Sequence, residues 1–204
     1  MDKSMIAELY LSFAAVFHRP NQQVSDHLEE LIDLWSEVVP EIDEAVQSLS
    51  HFCHQYPPGE QRLNVLWEHY IPLFETGAVE ASPYASVYFG EEGLVLGEEA
   101  LKVQQFYASC GYEMGEERGE LPDHLAVELE LCALLARNGQ EQALMDFENL
   151  HLNPFLKCIL PKIKNSNRPV YAEVATILEV RQLKHIQQNN ESMLNLQEEG
   201  DFVG

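Results

Sequence analysis

Apolar residues recur along this chain at spacings of three and four, the period of a helix with one buried face. Ile6, Leu9, Tyr10, Phe13 and Phe17 form the first stripe. It stops before Pro20, because the residue preceding a proline is biased away from helix. Val24, Leu28, Leu31, Leu34, Trp35 and Val38 form a second stripe, read as one helix running to Pro40. Ile42, Val46, Leu49 and Phe52 form a third, ended by Pro57, Pro58 and Gly59, and Leu63, Leu66, Trp67, Tyr70 and Phe74 a fourth. The pattern resumes over 98–110 and 125–137, then over 141–150 and 154–163, with a last segment from Pro169 to about residue 188. Each stripe needs a partner face, so the pattern predicts an all-α bundle of about eight to ten helices. Residues 1–188 form that single helical domain, and the polar, acidic stretch 189–204 is a tail expected to fray.

Between 75 and 97 the periodicity lapses. Gly77, Pro83, Gly90 and Gly93 alternate there with Tyr84, Tyr88 and Phe89. A loop of about 20 residues is uncommon inside a compact domain. Its aromatic content is unlike a flexible tether, so it reads as an ordered loop packed on the bundle or as a hinge between two halves.

Charge narrows the function. Lys and Arg total 12 against 34 Asp and Glu, a formal charge of −22. Nucleic acid phosphates would be repelled by such a surface; a cationic partner would be attracted. The four cysteines, Cys53, Cys110, Cys132 and Cys158, are scattered without C-x-x-C spacing, which suits a reducing compartment. No run of about 18 apolar residues is present to span a membrane. The apolar stretch 9–17 has helical spacing and an adjacent Glu8, so it reads as an amphipathic first helix and not a secretory signal, and the expected location is the cytoplasm.

Two short motifs stand apart from core filling. In Gly119-Glu120-Leu121-Pro122-Asp123-His124, directly before the run 125–137, Pro122 suits a first helical turn. Asp123 and His124 then lie at the positive end of the helix dipole, displayed as a polar site, with the histidine pKa lowered. Acid–base work, a helix cap with a surface histidine, and recognition of a polar or cationic ligand all remain open readings there. In Tyr70-Ile71-Pro72-Leu73-Phe74, the two aromatics are one turn apart and Pro72 should kink or end the helix, which reads as the lip of a groove. Ser82, Pro83, Tyr84 and Tyr88 follow.

Metal and nucleotide signatures are weak. His51, Cys53 and His54 cluster without a second ligand group; Glu148 and His151 make half of a di-iron pattern; His124 and Glu128 are only a helix-surface pair. No phosphate loop, dinucleotide fingerprint or nucleophile elbow is found, so neither cofactor nor metal is expected.

Tyr70-x-x-Leu73-Phe74 followed about 45 residues later by Glu120-x-Pro122-Asp123-His124 resembles the TorD/DmsD family of redox-enzyme maturation chaperones. The Ser-Pro-Tyr loop and the later Pro154-Phe155 helix extend the likeness over most of the chain. The resemblance implies a cytoplasmic, all-helical non-enzyme. It implies binding to the precursor of a molybdopterin oxidoreductase of the dimethyl sulfoxide reductase type, through its twin-arginine signal peptide, its apo form, or both. Tyr70, Leu73, Phe74, Ser82, Tyr84, Glu120, Pro122, Asp123 and His124 are the residues it points to for peptide binding. Some relatives form domain-swapped dimers, so a monomer and a swapped homodimer are both compatible with the loop. The alternatives are a small helical enzyme or nucleotide-binding protein using Asp123 and His124, and a helical adaptor acting through the loop 84–89.

Overall fold

The computed structural model describes residues 2–75, 79–90, 93–113 and 119–201, with side chains through residue 187. Among them the fold is all-α: α1 (Lys3–Phe17), α2 (Gln22–Asp26), α3 (Leu28–Val38), α4 (Asp43–Gln55), α5 (Glu60–Tyr70), α6 (Ser86–Phe89), α7 (Glu98–Ser109), α8 (Leu125–Arg137), α9 (Glu141–Phe147), α10 (Asn153–Lys164) and α11 (Pro169–Asp201). Two π turns, Ile71–Glu75 and Glu148–Leu152, extend α5 and join α9 to α10. The expected tail 189–204 falls on residues whose side chains, and at 202–204 whose backbone, lie outside the description; α11 itself runs to Asp201. Parts of the expected loop or hinge (76–78 and 91–92) lie outside it as well.

Helix α8 is the centre of the bundle. Leu125, Ala126, Leu129, Cys132 and Leu135 are fully buried, and the principal packing partner of α8 is α1. From α1, Leu9, Tyr10 and Phe13 meet it with no exposed surface, and Phe13 stacks on Trp35 of α3 with ring centroids 5.2 Å apart. The Trp35 indole N–H donates to Ser12 Oγ at 2.8 Å, so the one polar atom of this large side chain is not left unsatisfied. Helix α11 closes the other side against α4 and α10.

The second stripe is two helices, not one. Asn21 caps α2 by accepting from the Val24 N–H at 3.0 Å, and the backbone breaks at His27 before α3 begins. The cause is Arg62, a fully buried side chain of α5. Its Nη1 takes the Ser25 carbonyl at 2.9 Å, the acceptor a continuous helix would offer to the amide of Glu29. The same guanidinium grips Glu29 with both terminal nitrogens, at 2.7 and 2.6 Å, and takes the Cys53 carbonyl at 3.1 Å. One arginine thus ties α2, α3, α4 and α5 together, and such two-point pairing is the strong form of the interaction.

A second buried arginine joins α11 to α1. Arg181 lies 4.1 Å from the centre of the Tyr10 ring, donates to the Tyr10 hydroxyl at 2.5 Å, and stands 3.7 Å from Glu148. Glu148 also accepts from the Tyr10 hydroxyl and pairs with His185 at 3.1 Å. Burial would raise the Glu148 carboxyl, but His185, Arg181 and Tyr10 together hold it below its ordinary value. Glu148 and His151 therefore belong to separate networks, since His151 Nδ1 lies 2.8 Å from Glu99.

Pro72 acts as expected of a proline within a helix. It has no N–H to give, and its ring would strike the carbonyl four residues back. The chain answers by widening into the π turn Ile71–Glu75. That turn leaves carbonyls free to anchor the following loop: the amides of Glu80 and Ala81 donate to Pro72 and Leu73 at 3.3 and 2.9 Å.

Candidate functional site

The loop that starts at residue 79 crosses the bundle and pairs with the segment preceding α8. Tyr84 and His124 form an isolated antiparallel bridge. The Ala85 amide donates to the Asp123 carbonyl at 2.9 Å and the Leu125 amide to the Pro83 carbonyl at 2.8 Å. Side chains reinforce the bridge: the Ser86 N–H donates to Asp123 Oδ2 at 2.8 Å. Because the loop is also held to the π turn, the two sequence motifs are brought to one place.

The expectation that Asp123 and His124 are displayed is corrected by their burial, at 0% and 2% exposure. Helix α8 begins only at Leu125, with His124 as its N-cap, so Pro122 belongs to the preceding turn and not to the helix. His124 Nδ1 accepts from the Ala126 N–H at 3.2 Å, which places the ring proton on Nε2. The imidazole stacks on His18 and meets the edge of Tyr84, with centroids 5.9 and 5.2 Å away. Burial, then repulsion from His18 and Arg19, pushes its pKa down to about 3, so the ring is neutral.

Tyr70, Leu73 and Phe74 are likewise core residues, at 2%, 0% and 4% exposure, and not a projecting lip. The Tyr70 and Phe74 rings lie 4.9 Å apart, and Phe74 packs edge-on against Phe17 and Tyr171. Ser82 is buried too and shapes the turn, its Oγ accepting from the Tyr84 N–H at 3.4 Å. Glu120, Pro122 and Tyr84 are the half-buried members.

What these residues share is a cavity of about 250 Å³ lined by Arg19, Tyr70, Phe74, Glu75, Pro83, Tyr84, Glu120 and His124. The Tyr84 hydroxyl donates to Glu120 Oε2 at 3.0 Å; burial and that carboxylate both raise the phenol's pKa. Arg19, which sequence reasoning did not single out, donates from Nε to Glu75 Oε1 at 2.5 Å. Its one legible signal is the adjoining Pro20, which forbids continuation of α1.

The cavity opens into a longer groove between α1 and α8. A neighbouring space of about 360 Å³ shares Arg19 and Glu120 with it and adds His18, Val127 and Glu130. Beyond this lies a section of about 460 Å³, where Leu11, Val127, Ala133 and Leu134 share the lining with Tyr107, Tyr112, Glu113, Glu130 and Arg137. Leu11 and Leu134 are 36% and 37% exposed, enough to present apolar surface to a visitor. The groove carries Glu75 and Glu120 at the motif end and is richer in apolar side chains at the other.

Beneath the site Glu128 is fully buried, and neither of its carboxyl oxygens has a hydrogen-bond partner; Asp123 Oδ1 has none either. Burial, then the charges of Asp123 and Glu99, push the Glu128 pKa well up and favour its protonated form. It is not a surface partner of His124. Among the described residues, no group of three or more His, Cys, Asp or Glu side chains is placed to hold a metal ion. His51 and His54 are exposed on either side of the buried Cys53. No helix in the described residues is long and apolar enough to cross a membrane.

The family model for the nitrate reductase delta subunit matches residues 35–159, more than half of the chain. The chain belongs to the TorD/DmsD family of redox-enzyme maturation chaperones. Chaperone protein TorD of Shewanella sp. strain ANA-3 is 28% identical over 159 residues, covering 73% of this chain and 75% of the relative. Chaperone protein TorD of Photobacterium profundum is 28% identical over 173 residues, covering 78% and 80%. In three dimensions, the crystal structure of an Archaeoglobus fulgidus protein assigned to redox enzyme maturation superposes with a TM-score of 0.58 at 25% identity. It covers 89% of this chain and 94% of that one. The TorD/DmsD motifs thus meet at the acidic end of the α1–α8 groove in a bundle of the family's architecture.

Proposed function

We propose that this protein is a cytoplasmic, non-enzymatic chaperone that binds the precursor of a molybdopterin-dependent oxidoreductase of the dimethyl sulfoxide reductase type. It holds the client, through the twin-arginine signal peptide or the apo-enzyme, until the cofactor is inserted and export can proceed. The observation that carries this reading is the polarity of the groove. A twin-arginine signal presents guanidinium groups followed by an apolar segment, and the groove offers Glu75, Glu120 and Tyr84 followed by the exposed Leu11 and Leu134. Carboxylates bind guanidinium through charge-assisted hydrogen bonds, and an apolar trough accommodates the face of an inserted peptide. The formal charge of −22 speeds encounter with a basic peptide and makes that encounter salt-dependent.

A second patch favours contact with the client's mature part. Phe89, Leu94, Leu96 and Leu101, close in sequence, are 44%, 59%, 67% and 57% exposed, large apolar side chains left open to a partner.

The test is titration calorimetry with synthetic twin-arginine signal peptides from several molybdoenzymes, each beside a Lys-Lys counterpart. Micromolar binding to one peptide, lost in its counterpart, is the expected result. Failure of every peptide, with no oxidoreductase recovered with the protein from cell extract, would overturn the reading.

A further inference from the structure

The cavity at the motif end already has a guanidinium in its wall, and it belongs to this chain. Arg19 leaves α1 at Pro20, which keeps the residue before it out of helix. Its side chain reaches across 56 residues of sequence to Glu75 and lines the cavity together with Glu120 and Tyr84. The contact is a single hydrogen bond from Nε, unlike the two-point grip of Arg62 on Glu29. Arg19 also remains 63% exposed, whereas the Arg62 side chain is fully buried. An exposed, one-point ion pair contributes little to folding and exchanges readily for another partner.

Arg19 has a reason to be there. Glu75 and Glu120 line one small cavity in a protein of formal charge −22, and like charges brought together repel. A resident cation relieves that repulsion while the cavity is empty of anything else. Its chemistry is also that of the group the groove is read to receive: a planar guanidinium bonded to one carboxylate of a cavity that Glu120, Tyr70 and Tyr84 also line.

We propose that the cavity lined by Glu75 and Glu120 is a guanidinium subsite, and that the chain's own Arg19 holds its Glu75 carboxylate until a client arginine displaces it. The inference rests on the chaperone reading above and deepens it. Arg19 is a built-in competitor. It sets the affinity for arginine-bearing peptides and favours those whose apolar segment also fills the groove, because a lone arginine gains little by exchanging with it.

The experiment compares the full-length protein with Arg19→Gln. The probe is a synthetic peptide in which two adjacent arginines precede an apolar segment, beside its Lys-Lys counterpart. Arg19→Gln should bind the arginine peptide about two- to five-fold more tightly, the range a weak exposed ion pair allows. In the wild-type protein, the Arg19 Nε–H resonance should move when the arginine peptide is added and stay still with the lysine one. Wild-type binding with unchanged or weaker affinity in Arg19→Gln would overturn the subsite and leave the chaperone reading standing. Arginine amide supplies an arm that needs no client: in Arg19→Gln it should shift the Tyr84 ring resonances at lower concentration than in wild type. No such difference overturns the subsite. If neither protein binds any arginine peptide, the peptide-binding reading and the subsite fall together.

Discussion

The carboxylate of Asp123 accepts a hydrogen bond from the backbone N–H of Ser86 at 2.8 Å, across 37 residues of sequence. Polarity and motif membership suggest a residue that waits for a ligand, but this one is engaged with its own backbone and is fully buried. Asp123→Ala should therefore lower stability by about 1–3 kcal/mol, the cost of leaving a buried donor unpaired. Asp123→Asn, which keeps an acceptor and removes a charge facing Glu128, should cost less. Chemical denaturation of the two variants beside wild type decides it. Equal stability of Asp123→Ala and wild type would show that the bond does not hold the loop.

The groove predicts two surface effects of different kind. Glu120→Gln should weaken an arginine-peptide complex about five- to thirty-fold, the loss expected when one charge-assisted bond becomes neutral, and should reduce the salt dependence of association. Leu134→Asp, at a partly exposed apolar position, should leave stability nearly unchanged yet cut binding at least about ten-fold by charging the apolar section. Calorimetric titration of both variants with the same peptide checks the pair. Unaltered affinity in both would remove the groove from recognition.

His124 makes the fold acid-sensitive. Its pKa is pushed down to about 3 in the folded state against about 6.5 unfolded, so the unfolded chain binds the extra proton between those values. Stability from this group is complete above pH 6.5 and is lost as pH falls toward 3, by a few kcal/mol in all. His124→Asn, which still offers an N-cap acceptor, should flatten the loss over that window. Melting temperatures measured at unit steps of pH show whether it does.

Glu128 works in the opposite direction. Its folded pKa is raised, so the folded state holds the proton more tightly and stability drains away as pH climbs above the unfolded value near 4.5. Glu128→Gln cannot ionise, and its melting temperature should gain on wild type progressively from pH 5 to pH 9. Parallel curves would mean that the carboxyl is ionised in the fold throughout.

The helical faces were legible because burial imposes a period on each segment: α1, α4, α7 and α8 all lie where their apolar stripes run. The break at His27 was not legible, because it depends on Arg62, whose reach to the Ser25 carbonyl spans 37 residues. The π turn was half legible, in that Pro72 announces a disturbance without saying how the chain absorbs it. The site followed the same rule. Motif membership pointed to Tyr84 and Glu120, which the structure places in one cavity with Tyr70, Phe74 and His124. It did not reveal that Asp123, His124 and Leu73 are enclosed. Glu75 carries no local mark and Arg19 only the adjoining Pro20, since their meaning arises from a contact between distant segments.

The bridge between Tyr84 and His124 has a further consequence. The wall of the cavity and the latch that holds the loop 79–90 onto the bundle are the same few backbone hydrogen bonds. Lifting the loop would open the latch and erase the cavity in one motion, so guest occupancy and loop release draw on a single equilibrium. Anything that settles into the cavity therefore acts as a clasp on that loop, with a free energy equal to its preference for the latched state.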